Sequence, residues 1–250
     1  MRRSAAYLAA VGLLAGCGGA SEPPQPAGPA TSANTLATEV DCVQEGGGYD
    51  TQIINFKARD GTELEGVSIL AGARVAVVFA NEEGTDICSW MPYVYLFTGA
   101  RGPQIVLFNL PDTAGLTDYL DAAADEARER GAEAIILVGA SIGGTASLIT
   151  AARRADTVAV VTLSPPRHFE DLDALAAVER LAVPLLIVAA RRDSQFPADA
   201  KLLHRAASAP VKRLMLVDGF QHGTDLLQDD NVVERVARFV FLIRDTVESP

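Results

Sequence analysis

Residues Ala134–Ala146 read AIILVGASIGGTA. The apolar run Ala134–Val138 stops at Gly139, and a helix-like segment begins just past Ser141. A short apolar run closed by glycine is the pattern of a strand buried on both faces. Gly139-Ala140-Ser141-Ile142-Gly143 fits Gly-x-Ser-x-Gly, a strand–turn–helix junction too sharp for bulky neighbours. Small residues two positions either side of Ser141 let strand and helix pack closely, and the hydroxyl is pushed out at the strand's C-terminal edge. The same turn places the Ile142 N–H and the helix N-terminus beside any oxyanion that forms there. Five such residues recur by chance in Gly/Ala-rich chains, so the weight falls on their surroundings.

The surroundings alternate. Ile53–Ala58 and Glu63–Leu70 read as a hairpin about Asp60-Gly61, and Arg74–Ala80 as a buried central strand. A helix is expected within Ile87–Gly99, with Pro92 in its first turn. Strands then fall at Gln104–Asn109, Ala134–Val138, Val158–Leu163, Leu185–Ala190 and Val211–Val217. Helices are expected at Leu116–Arg130, Gly143–Arg153, Phe169–Arg180, Ala198–Ala206 and Val232–Asp245. Strands separated by helices require right-handed crossovers, so the fold class is α/β, with a mostly parallel central sheet and helices on both faces. No internal repeat is visible, and 41–250 reads as one domain.

In such a sheet, ligands bind beyond the carboxyl ends of the strands. Just past three of those ends stand Ser141, then Asp193 in Arg191-Arg192-Asp193, then His222 in Gly219-Phe220-Gln221-His222-Gly223. Asp218 is closer to His222 in sequence but precedes it on the same loop, which makes it the weaker candidate acid. His168 comes after Pro165-Pro166 and His204 lies in a helical pattern, so both read as surface or packing residues. The order Ser, Asp, His together with the order of strands resembles the α/β-hydrolase superfamily over about Tyr49 to the C-terminus.

That resemblance implies Ser141 as nucleophile, His222 as general base and acid, and Asp193 as the group orienting the imidazole. The chemistry needs all three. A serine hydroxyl is a poor nucleophile until a base takes its proton, and a carboxylate holds the imidazole in the right tautomer. The resemblance also implies a second oxyanion donor on the loop after Arg74–Ala80. Relatives commonly carry His-Gly there, whereas this chain has Asn81-Glu82; by register the donor is the Glu83 N–H, with Glu82 as runner-up. Asn81 is expected to anchor that loop by hydrogen bonding, and Glu82 and Glu83 to be solvated acids whose amides alone matter. Between Leu163 and Pro184 there is room for one helix, hence a minimal cap and an open, shallow pocket. Pro165, Pro166 and Phe169 on one side and Trp90 or Tyr93 on the other are either pocket walls or packing residues.

Ahead of the domain, Arg2 and Arg3 precede an apolar stretch, Ala5–Ala15, and Leu14-Ala15-Gly16-Cys17 has the order of a bacterial lipobox. Residues 1–16 are therefore expected to be a lipoprotein signal peptide, and Cys17 the lipidated residue. Residues 17–40, with Pro23, Pro24, Pro26 and Pro29, read as a flexible tether. The expected location is the bacterial cell envelope, lipid-anchored and facing outside the cytoplasm. Formal charge is −11, and losing 1–16 removes two arginines and no acid. So acidic a body is not drawn to an anionic leaflet, which leaves tethering to the lipid, and it argues against nucleic acid as a partner. With Cys17 assigned to lipid, Cys42 and Cys88 remain as a disulfide pair in an oxidising compartment, or as two buried thiols. No His or second Cys stands at metal-ligand spacing, and neither a cofactor nor a metal is expected.

The reading that results is an exported serine hydrolase, an esterase acting on small or exposed carboxylic (thio)esters through an acyl-enzyme. Its partner is a small-molecule acyl substrate. An acyltransferase or peptidase would use the same three residues. A catalytically inactive envelope binding protein, or a structural lipoprotein, would keep only the scaffold.

Overall fold

The hairpin forms where alternation and turn chemistry agree. β1 (Thr51–Lys57) and β2 (Glu63–Ile69) pair antiparallel from Thr51↔Ile69 to Lys57↔Glu63. Gly61 takes the left-handed conformation in the connection (φ 93), and Asp60 Oδ1 accepts from the Thr62 N–H at 2.9 Å. β3 (Val75–Ala80), β4 (Gln104–Phe108) and β5 (Ala134–Ala140) are buried along their whole length. They lie in the middle of an eight-stranded sheet that continues through β6 (Thr157–Leu163) and, beyond the short pair β7 (His168–Phe169) and β8 (Leu172–Asp173), through β9 (Leu185–Ala190) to β10 (Lys212–Val217). The order is β1-β2-β4-β3-β5-β6-β9-β10. β2 meets β4 antiparallel, and every later pairing is parallel.

This computed structural model describes residues 42–43, 50–70, 72–98 and 101–249. All of these belong to one compact unit, Thr35–Pro250. The expected signal peptide, the lipidation site Cys17 and the tether up to residue 40 lie outside the described residues.

Period-2 alternation splits the core into two layers. Ile135 and Leu137 of β5 face one cluster, together with α2 (Leu116–Glu129) and α3 (Ile142–Ala151). Ile136 and Val138 face the other, with Trp90, Phe97 and the last helix, α6 (Asp230–Glu248). α3 is buried nearly all round. Its small residues let it sit close on the sheet, and two of its three buried hydroxyls are paired: Ser147 Oγ donates to Gly143 O (2.7 Å) and Thr145 Oγ1 to Pro166 O (2.6 Å), while Thr150 Oγ1 has no hydrogen-bond partner among the described residues.

Two helices differ from expectation. Within the stretch expected to be helical from Ile87, the described residues form a 3-10 turn (Ile87–Ser89) and one short helix, α1 (Met91–Val94). Side chains capture the amides at its start, because Ile87 N donates to Asn109 Oδ1 and Cys88 N to Asp86 Oδ1. Pro92 does sit in the first turn of α1. In place of a helix from Phe169, the β7–β8 pair precedes a short α4 (Ala174–Val178). Glu170 turns left-handed (φ 51), and Asp173 caps the helix by accepting from Ala176 N. The cap is therefore even smaller than one full helix. Before β10 runs α5 (Phe196–Ala206).

Candidate active site

Ser141 is the hinge between β5 and α3, with φ 49 and ψ −120. A left-handed φ on a non-glycine residue costs of order 1–3 kcal/mol and persists only where the surroundings fix it. Here they do so through backbone contacts. The Ser141 N–H donates to Leu163 O at 2.8 Å, and its carbonyl accepts from Gly144 N and Thr145 N. A Cβ on Gly139 would lie 2.2 Å from Gly143 O. A Cβ on Gly143 would lie 2.4 Å from both Ala80 O and Asn81 O. The two glycines of the motif are thus required for separate reasons: one lets the helix fold back on its strand, the other lets it press against the end of β3. As the first residue of α3, Ile142 has an N–H without an acceptor inside the helix.

The loop after β3 is anchored by Asn81, fully buried, as expected from its place in the sequence. Its Nδ2 donates to Phe108 O (3.0 Å), and its Oδ1 accepts from Trp90 Nε1 (2.8 Å). Trp90 is 1% exposed and packs against Phe79 with tilted rings, centroids 4.9 Å apart, so it is a packing residue and not a pocket wall. The Cys42–Cys88 disulfide is present, with Cα atoms 5.8 Å apart, and it joins the N-terminal segment to the turn that leads into Trp90. Burial pushes the Tyr93 phenol up, and the nearby Asp225 carboxylate adds to it. Glu83 is exposed, as expected. Glu82 is not a free solvated acid: its Oε1 accepts from Thr224 Oγ1 at 2.6 Å and from Thr224 N at 3.3 Å. Nothing in the local pattern around Glu82 hints at a partner that far along the chain.

Asp193 and His222 come together. His222 Nδ1 and Asp193 Oδ2 are 2.8 Å apart, and the aspartate side chain is only 8% exposed. The same oxygen accepts from Ser164 Oγ at 2.7 Å. A carboxylate can only accept, so Nδ1 is the donor in this bond, and in the neutral imidazole that puts the acceptor lone pair on Nε2. Phe196 packs against the imidazole, with ring centroids 4.2 Å apart. Asp218 lies apart from this pair: it is 98% exposed and bonded to Arg191. His168 is exposed, and His204 lies on α5. Ser164 and Phe196 escaped the sequence reading. Ser164 had a signal, since it stands directly after β6 in the strand-end position (φ 50) that Ser141 occupies after β5.

Ser141, Asp193 and His222 come after β5, β9 and β10, three strands that run parallel, so all three stand at the same edge of the sheet. A cavity of about 940 Å³ between β10 and α6, lined by Leu186, Arg213, Met215 and Phe239, touches none of them. No protein-family model matches the chain, and no curated protein matches it. Solved structures do. The Pyrococcus furiosus esterase Pf2001 superposes with a TM-score of 0.67 at 14% identity, over 87% of this chain and 96% of that one. Dienelactone hydrolase from Anabaena variabilis gives 0.62 at 21% identity, over 77% and 95%. The esterase domain of a Rhodothermus marinus protein gives 0.61 at 19%, over 76% and 96%. With the strand order and the junction at Ser141, these likenesses establish that the chain has the α/β-hydrolase fold.

Proposed function

We propose that the protein is a serine hydrolase that cleaves small or exposed carboxylic esters or thioesters through an acyl-enzyme. The observation that carries this reading is the chain Ser164–Asp193–His222, which fixes one imidazole tautomer at the sheet edge where Ser141 is held in a strained turn. Names of structural neighbours add support, since they include esterases.

In the proposed reaction His222 Nε2 takes the Ser141 hydroxyl proton as Oγ attacks the acyl carbon. Negative charge moves to the carbonyl oxygen, where the N–H groups of Ile142 and Glu83 are the proposed donors. Collapse of the tetrahedral species breaks the ester bond, and the imidazolium gives its proton to the leaving alkoxide or thiolate. Water then attacks the acyl-enzyme by the same route in reverse, releasing the acid and restoring Ser141. Acyl transfer or peptide cleavage would differ only in the second nucleophile or in the leaving group. The small β7–β8 and α4 cap favours substrates whose acyl group needs no deep pocket.

A fluorophosphonate probe tests the assignment. Wild type should be labelled covalently at Ser141 and Ser141→Ala should not; an unlabelled wild type, beside a control hydrolase that labels, sinks the reading. We further propose that the protein is held by lipid on Cys17 outside the cytoplasm. The Cys42–Cys88 disulfide suits an oxidising compartment, and no described helix is long and apolar enough to cross a membrane. Incorporation of an alkyne fatty acid that survives Cys17→Ser would count against the anchor.

A further inference from the structure

The stretch of chain carrying His222 has two backbone ties, Arg192 N to Gly219 O at 2.9 Å and Asp225 N to His222 O at 3.0 Å. Gly219 (φ 123) and Gly223 (φ 53) flank the histidine, both in the left-handed region, and Phe220 between them is 71% exposed. Glycine at such positions leaves the unfolded and loosened chain many alternatives. The Asp193 bond fixes the ring nitrogen, but it does not fix the backbone from which the ring hangs. A general base must nevertheless be held within a few tenths of an ångström of its working position.

A further restraint comes from the other side of the site. Glu82 Oε1 accepts from both the hydroxyl and the backbone N–H of Thr224, two residues after His222. Its Oε2 occupies the space over Gly223, where a Cβ would lie 1.8 Å from that oxygen. Gly223 is favoured as glycine by its backbone conformation, and its lack of a side chain leaves the room that the carboxylate fills. Thr224 is buried at 7% exposure. The Glu82 main chain is itself tied, since its carbonyl accepts from Thr85 Oγ1 at 3.1 Å. Glu82 directly precedes Glu83, the proposed oxyanion donor.

We propose that Glu82 is a positioning residue, whose carboxylate straps the loop carrying His222 to the loop presenting the Glu83 N–H. Base and oxyanion donor are then held in one register by a single side chain. The strap also explains why an acid is tolerated beside a site that develops negative charge: its charge is directed onto two donors of the histidine loop, in charge-assisted hydrogen bonds. This inference rests on the reading of Ser141 and His222 as nucleophile and base.

The test uses the full chain in detergent and three variants, Glu82→Ala, Glu82→Gln and Thr224→Val. Three quantities are read: the rate of fluorophosphonate labelling, kcat and KM for a small activated ester, and amide hydrogen exchange in peptides covering residues 218–228. Glu82→Ala should slow labelling and kcat by roughly 10- to 100-fold, the worth of a charge-assisted hydrogen bond, with KM changed little. Exchange over 218–228 should rise at the same time. Glu82→Gln keeps an oxygen acceptor and should recover most of the rate and the protection. Thr224→Val, which keeps the backbone donor, should fall between. Wild-type labelling and exchange in Glu82→Ala would overturn the strap, as would a Glu82→Gln as impaired as Glu82→Ala. If wild type itself does not label while exchange shows the expected order, the strap stands and the catalytic reading falls.

Discussion

On the β5 side of the sheet edge, Ser141 is held by backbone meeting backbone; on the β9–β10 side, His222 is held by side chains. Around Ser141, Gly139 and Gly143 let main-chain atoms approach where a Cβ would be 2.2–2.4 Å from a carbonyl oxygen. Around His222, besides the backbone bonds of its own loop, the restraints are Asp193 and Ser164 at 2.7–2.8 Å, Phe196 against the ring, and Glu82 on Thr224. A region built by close approach fails when an atom is added. A region built by side-chain bonds fails when one is taken away.

The largest effect should come from subtraction on the histidine side. His222→Ala removes the base and should lower hydrolysis of an activated ester by roughly 10³-fold or more, because the three residues act as a unit. Asp193→Ala should fall in the same range. His222→Ala should melt close to wild type, whereas Asp193→Ala takes the acceptor from the buried Ser164 hydroxyl and should melt lower. Activity within tenfold of wild type in His222→Ala would show that this side of the site is not the catalytic one.

Addition should do the reverse on the serine side, costing stability first. In Gly143→Ala the new methyl meets Ala80 O and Asn81 O at 2.4 Å, and the fold must separate α3 from the end of β3. Overpacking of this kind costs about 3 kcal/mol. A lowered melting temperature is expected, with labelling of Ser141 reduced in whatever remains folded. Gly144 is the milder comparison, because its nearest contacts for a Cβ are 3.1–3.3 Å, against 2.4 Å at Gly143. Gly144→Ala should cost less than Gly143→Ala, helped by alanine's better helix propensity. If the two alanines melt alike, close approach is not what the motif's second glycine supplies.

The same contrast decides what could be read from the sequence. The strand-end placement of Ser141, Asp193 and His222 was legible because strand ends in a parallel sheet are few, and the residues just beyond each end can be inspected in turn. Close-approach glycines leave a mark too, since glycine is scarce where a helix could take alanine. Side-chain bonds leave none. Thr224 and Glu82 are 142 positions apart, and neither residue type is unusual for a loop. Expectation therefore sent both Glu82 and Glu83 to solvent, and only Glu83 is there. The helix expected from Phe169 failed for a related reason: the apolar spacing fits a helix, but a left-handed Glu170 and the Asp173 cap decide where it begins. Trp90 could be placed near the site by sequence but not turned inward, because its orientation depends on Asn81 Oδ1.

The smallest effect discriminates most finely within the histidine side. Ser164 Oγ supplies Asp193 Oδ2 with a second hydrogen bond at 2.7 Å, while Asp218 is bonded to Arg191 at the surface. Removing a neutral donor to a buried carboxylate leaves that oxygen one partner short, a cost of about 1–2 kcal/mol. That converts to roughly 5- to 30-fold in kcat if the loss falls on the orientation of the imidazole. Ser164→Ala should therefore lower kcat by such a factor and leave Ser141 reactive, whereas Asp218→Ala should leave kcat unchanged. The difference separates two meanings of a neighbouring group, since Asp218 is close to His222 in sequence and Ser164 is close to its partner in space. A loss in Asp218→Ala larger than in Ser164→Ala would place the orienting acid on the wrong loop, and the side-chain chain Ser164–Asp193–His222 would then be structural only.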